Sequence, residues 1–175
     1  MTDARRERTS IVAEPLGHHE LVAVASYRLI TLRDQDNDAG AGLDEAIARA
    51  QTAVVASTGY ELVINCAQDL LPVSARLEMW SGRPASADEP GWSAPQVFEL
   101  ECPSGLLVLG SPTGEALGAE LPTGPGVYGF EVAHRGRDRA LAMSQEDLLN
   151  ARQGGFEQYR MRVWFAGELP DDEDE

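Results

Sequence analysis

The chain has 175 residues, 43% of them hydrophobic and 25% charged, and its 29 acidic against 14 basic side chains give a formal charge of −15. A chain of this length buries a core without metal or disulfide staples, and its composition is that of an ordinary soluble globular protein. The negative charge excludes electrostatic binding to nucleic acid or to an anionic membrane, both of which need basic patches, and leaves a basic protein as the partner to expect.

In chain order, residues 1–10 (MTDARRERTS) read as a polar N-terminal tail, because they offer nothing to bury. Residues 21–32 (LVAVASYRLITL) read as one long strand, followed by a turn-rich loop over residues 34–42 (DQDNDAGAG). The period then changes to that of a helix over about residues 43–57. Leu43, Ala46, Ile47, Ala50 and Val54 share one face, Asp44 and Glu45 suit the first turn, and Gly59 stands beyond the end. Strands follow at 60–66, 73–80, 96–102, 106–109, 127–134 and 159–165; in the second, Val73, Ala75, Leu77 and Met79 alternate with Ser74, Arg76, Glu78 and Trp80. Between them, residues 83–95 (RPASADEPGWSAP) hold three prolines and form an exposed loop. Gly114, Gly118, Gly124 and Gly126 read as turn residues, and Arg135, Arg137 and Arg139 as a solvated hairpin tip. A short second helix fits about residues 144–152, where Ser144 and Asp147 have capping-box spacing. Residues 170–175 (PDDEDE) close the chain as an acidic tail. The expectation is a mainly β protein: a single antiparallel β-sandwich domain over residues 11–169 with one inserted helix.

Few constellations point to chemistry. Asp34, Asp36, Asp38 and Glu45 stand at positions 1, 3, 5 and 12 of a calcium loop. Against a metal, Ala39 occupies the sixth position, where glycine is needed, and a strand precedes the loop instead of a helix; a solvated acidic turn is the reading. His18 and His19 are adjacent, so on a strand they face opposite ways and cannot chelate together. Cys66 and Cys102 are too few for a zinc site or a disulfide framework, which predicts a reducing, cytoplasmic location. Every basic residue is Arg, as expected of a GC-rich bacterial genome, and the absence of Lys excludes Schiff-base chemistry. No nucleophile elbow and no phosphate-cradling glycine loop occur, so neither catalysis nor a cofactor is expected. In the 83–95 loop, Trp92 stands near Asp88 and Glu89, an aromatic anchor beside acid of the kind that meets a basic protein surface.

The order of pieces resembles a known family. Asp44-Glu45-Ala46-Ile47 opens a helix after the first strand, Tyr60 begins the strands, and Gly105-Leu106-Leu107-Val108 and Leu121-Pro122 precede Gly126-Val127-Tyr128. Over residues 21–134 this is similar to the competence protein J family of DNA-entry nuclease inhibitors, with residues 123–125 lengthening one stretch and the acidic tail added. The resemblance implies a β-sandwich that binds a protein and catalyses nothing. The expected function is therefore an acidic protein-binding module of the nuclease-inhibitor type, contacting its partner through Asp88, Glu89 and Trp92. A calcium- or small-ligand-binding sandwich and an enzyme of unrecognised type are the alternatives.

Overall fold

The structure is a computed structural model describing residues 12–37, 40–69, 71–86, 88–150 and 156–171. The segment predicted as an N-terminal tail, most of the acidic tail, Asp38 and Ala39 lie outside the described residues.

Among the described residues ten strands form two five-stranded sheets that face each other. The first sheet runs β1 (Pro15–Val24), β5 (Pro72–Trp80), β10 (Gln158–Gly167), β9 (Gly126–Arg135), β6 (Gln96–Cys102). The second runs β3 (Val55–Ser57), β4 (Glu61–Asn65), β2 (Leu29–Asp34), β7 (Leu106–Gly110), β8 (Ala116–Glu120). Among the described residues the strand pairings are antiparallel except β5 with β10, which run parallel, so the mainly β, antiparallel-rich sandwich read from the sequence is the architecture found. The core lies between the sheets. Leu77, Tyr128, Phe130, Met161 and Val163 from the first meet Ile30, Leu32, Leu62, Ile64, Leu107 and Leu109 from the second, all buried. The alternation read in β5 is realised residue for residue.

The predicted strand over residues 21–32 is two strands in different sheets. At residues 25–28 the chain crosses the sandwich through a single 3-10 turn (Ser26–Arg28), with Tyr27 and Arg28 in the left-handed region at φ 59° and 61°. Ala25 and Ile30 are wholly buried on either side of the crossing, so a continuous apolar run conceals a corner. The turn is pinned by the Cys66 N–H donating to the Arg28 carbonyl (2.7 Å) and by Arg28 Nε donating to the Cys66 carbonyl (2.9 Å).

The predicted helix also ends early: α1 spans Leu43–Ala53. Leu43, Ala46, Ile47 and Ala50 pack on the outer face of the second sheet against Val63, Ala56 and Leu29. Val54 reverses the chain at φ 71° and turns toward the inter-sheet core, and Val55 begins β3 against Ile64. Consecutive β-branched residues favour the sheet, where pairing with β4 satisfies backbone groups that a fourth helical turn would otherwise hold. Two further elements correct the sequence reading. Gly118 lies inside β8, not in a turn, and the supposed hairpin tip opens a six-residue helix, α2 (Arg137–Ala142). The short helix α3 (Gln145–Asn150) carries the expected cap: the Asp147 N–H donates to Ser144 Oγ at 3.1 Å. Among the described residues no helix is long and apolar enough to cross a membrane.

Candidate functional site

The outward side chains of the first sheet are polar and aligned by register. Arg160 of β10 stands opposite Arg76 of β5, and Arg162 stands between Glu78 on β5 and Glu131 on β9. Same-face neighbours on paired strands lie close enough for their charges to meet. Arg162 reaches Glu78 at 3.3 Å and Glu131 at 3.4 Å, and Arg76 reaches Glu78 at 2.9 Å and Glu20 of β1 at 2.7 Å. Farther along the sheet, Gly129 leaves room for the Trp164 ring; a Cβ there would lie 2.3 Å from it.

Across this face lies the 83–95 loop, kept out of the sheet by Pro84, Pro90 and Pro95. Ser86 donates to the Glu131 carboxylate. Glu89 bridges two strand arginines, taking Arg160 at 2.7 Å and Arg162 at 3.0 Å. The Trp92 N–H donates to the Glu89 carbonyl (3.1 Å), closing a turn, and the next residue exchanges hydrogen bonds with the His134 backbone. The half-buried Trp92 ring has two guanidiniums, of Arg135 and Arg160, each 4.5 Å from its centre.

The three residues singled out in the loop therefore stand in different situations. Asp88 is exposed, with no cation at ion-pair distance among the described residues. Glu89 is matched within its own protein: the hydrogen bond from Arg160, with the charges of Arg160 and Arg162, holds its carboxyl below the usual range. Trp92 is surrounded by cations more than by acid. That Arg160 and Arg162 face Glu89, more than seventy positions away, is a property of the fold that no local pattern in the sequence carries.

Two clefts flank the Trp92–Arg135 pair, which lines both. One, of about 290 Å³, also takes in Glu20, Val22, Arg76 and Gln158; the other, of about 700 Å³, is lined by Val54, His134, Arg137 and Arg139. Beneath the second lies a buried polar knot. Arg137 donates to the Asn65 carbonyl (2.5 Å), to the Tyr159 hydroxyl (2.7 Å) and to Glu157 (3.2 Å), while the Ala67 N–H and the Tyr159 O–H donate to Glu157. Cys66 adjoins this knot, but burial pushes its thiol up to about 12, as it does that of Cys102. Thiols held in the protonated form are packing groups.

Of the calcium-loop residues, Asp38 lies outside the described residues and Asp34 is engaged with backbone N–H groups. Asp34 is wholly buried at the end of β2, and its carboxylate accepts the N–H groups of Asp36, Ser104 and Gly105 at 3.0–3.2 Å. It ties the turn between β6 and β7 to β2. His18 and His19 stand on β1 opposite Glu78 and Leu77, facing opposite ways as expected. Among the described residues no group of three or more His, Cys, Asp or Glu side chains is placed to hold a metal.

His134 and Glu89, at the loop, are expected to make stability fall in acid. Burial, with the Arg137 charge, lowers the His134 value from 6.5, so its contribution is full above 6.5 and lost as pH falls through the folded value. Glu89 has the same sign: its contribution is full above 4.5 and lost as pH falls through its lowered value. Urea midpoints measured against pH are expected to drop in two stages, the first absent in His134→Gln and the second in Glu89→Gln. A wild-type profile flat from above 6.5 to 4.5 would contradict the His134 assignment, and one that stays flat on further acidification would contradict the Glu89 assignment as well.

No protein-family description and no curated protein matches the chain in sequence. Two solved structures match it in shape over 89% of this chain and 99% of their own. One is ComJ from Bacillus subtilis, an inhibitor of the DNA-degrading activity of NucA, with TM-score 0.56 and 14% identity. The other is the crocagin biosynthetic gene J protein, with TM-score 0.52 and 15% identity. At such identity the likeness establishes the fold, and that fold agrees with the resemblance drawn from the sequence.

Proposed function

We propose that the protein is a non-catalytic protein-binding module of the nuclease-inhibitor type, which meets a basic partner through the 83–95 loop and the face it crosses. The observation that carries this reading is the full-length likeness in fold to an inhibitor. The chemistry supports it: the Cys66 thiol is held protonated, and Glu157 and Arg137 beside it are engaged with each other. A nuclease holds phosphates on a positive surface, and a chain of charge −15 can occupy that surface and reach it quickly by steering. Glu89 adds little to steering because its charge is neutralised internally. Asp88 and the charge of the whole chain do the steering, and Trp92 is the anchor.

The test is capture at low salt from a lysate of the source cells, followed by DNA-cleavage assays of the captured protein with and without the chain. The association rate is expected to fall steeply with salt and to drop in Asp88→Ala. Trp92→Ala is expected to speed dissociation, weakening binding by about 2 kcal/mol. A captured nuclease that the chain leaves fully active would overturn the inhibitor reading. A partner indifferent to both salt and Trp92 would overturn the surface assignment.

A further inference from the structure

The larger cleft beside Trp92 has a character opposite to that of the chain. In a protein of charge −15 it gathers Arg135, Arg137 and Arg139 around an aromatic and apolar wall of Trp92, His134 and Val54. Asp138 also lines it, and the charge of Arg137 is met by buried Glu157. Arg135 and Arg139 meet no carboxylate at ion-pair distance among the described residues. Each lies over a ring instead, Arg135 4.5 Å from the centre of Trp92 and Arg139 4.3 Å from that of Phe156. Stacking orients a guanidinium while leaving its in-plane N–H groups available, since these point away from the ring axis. Among the described residues Arg135 spends only Nε, on Gln158 (2.7 Å), and its terminal nitrogens donate no hydrogen bond. A second observation falls on the same wall. Val54 is β-branched and held at φ 71°, a costly conformation that clusters at binding sites.

We infer that this cleft binds a small organic carboxylate, its head held by Arg135 and Arg139 and its apolar body set against Trp92 and Val54. A volume of about 700 Å³ lies within the range of small-molecule sites. Planar guanidinium forks match a carboxylate, and the apolar wall favours a ligand with a hydrophobic body over a bare ion. The charge of the whole chain repels long polyanions, so a single-headed anion fits best. The carboxylate has two possible sources, a free acid or the C-terminus of a peptide. The inference goes beyond the protein-binding reading and does not rest on it.

Calorimetric titration with three probes tests it: phenylacetate, the peptide acetyl-Gly-Gly-Phe with a free C-terminus, and inorganic phosphate. Phenylacetate or the peptide is expected to saturate with a Kd of about 1 mM or tighter. The tighter of the two identifies the source, and either supports the site. Binding should weaken at least about tenfold in Arg135→Gln/Arg139→Gln and in Arg139→Gln alone. It should be unchanged in Arg49→Gln, whose guanidinium bonds the Ser57 carbonyl on the other sheet. Arg135 and Arg139 are exposed, so folding is expected to survive, and the single variant keeps the test decidable if the double one does not fold. Saturation by phosphate alone, saturation by none of the probes, or wild-type affinity in Arg139→Gln would overturn the inference.

Discussion

Arg137→Ala is expected to cost about 3–5 kcal/mol of folding stability, read as a drop in urea midpoint at constant slope. Glu157 is only 3% exposed, and Arg137 is its one ion-pair partner among the described residues. Truncation leaves that buried carboxylate with two neutral donors, the Ala67 N–H and the Tyr159 O–H, and no cation. It also removes the donor to the Asn65 carbonyl at the end of β4, leaving α2 tied to the loop between β4 and β5 by Gln68, which donates to the Ala140 carbonyl (2.8 Å). A buried pair is worth little against an apolar replacement but costs much when one half is removed. Arg137→Met combined with Glu157→Gln is therefore expected to recover a large part of the loss, since Gln retains an acceptor for the Ala67 N–H. Tyr159→Phe, which removes one hydroxyl from the knot, should cost about 1 kcal/mol. A loss below about 1 kcal/mol in Arg137→Ala would show that solvent reaches Glu157 and replaces the guanidinium.

That knot was invisible in the sequence, and the reason is general. Alternation within a strand is local, so the burial of Val73, Ala75, Leu77 and Met79 could be read directly. The buried face of α1 was equally legible from its spacing, apart from its last residue. What escaped was every feature set by non-local partners. Residues 21–32 hide a corner because both sides of it are apolar, and only left-handed Tyr27 and Arg28 make the turn. β8 (ALGAE) escaped because its interior glycine and small side chains carry almost no periodic signal. Arg135, Arg137 and Arg139 looked like one solvated tip. In the fold they divide into a stacked guanidinium on Trp92, a buried ion-pair partner and a stacked guanidinium on Phe156.

The candidate loop was legible as a loop but not in its electrostatics. Its prolines exclude it from the sheet, and Trp92 within it marked a contact residue. Glu89 read as free acid because its partners arrive with β10, whose register beside β5 and β9 brings Arg160 and Arg162 beneath it. The consequence for function is a division of labour. The ion pairs fix where Trp92 is presented, while attraction at a distance falls to exposed groups such as Asp88 and to the chain as a whole.

Gly136→Ala is expected to be the most damaging change of a single methyl group, at about 4 kcal/mol, and a short series separates its two causes. Gly136 stands between Arg135 and Arg137, where β9 ends and α2 begins, at φ 81°. An L-residue in that region costs about 1–2 kcal/mol on its own. The added Cβ would also lie 1.5 Å from the Phe156 carbonyl oxygen, a backbone atom that cannot swing aside as a side chain can. Relief requires α2 or the start of β10 to move, which breaks the knot around Glu157 and opens the arginine-lined cleft. Gly124 supplies the comparison for conformation alone: its φ is 78°, but a Cβ would meet nothing within 4 Å, so Gly124→Ala should cost only about 1 kcal/mol. Gly118→Ala, in open space on β8 and without a positive φ, should be neutral or slightly stabilising, because alanine has less freedom to lose on folding. Urea midpoints for the three variants should therefore fall in the order Gly118, Gly124, Gly136, with the widest gap before the last. A Gly136→Ala variant no less stable than Gly124→Ala would mean that Phe156 yields without cost and that the junction of β9 and α2 is looser than its contacts indicate.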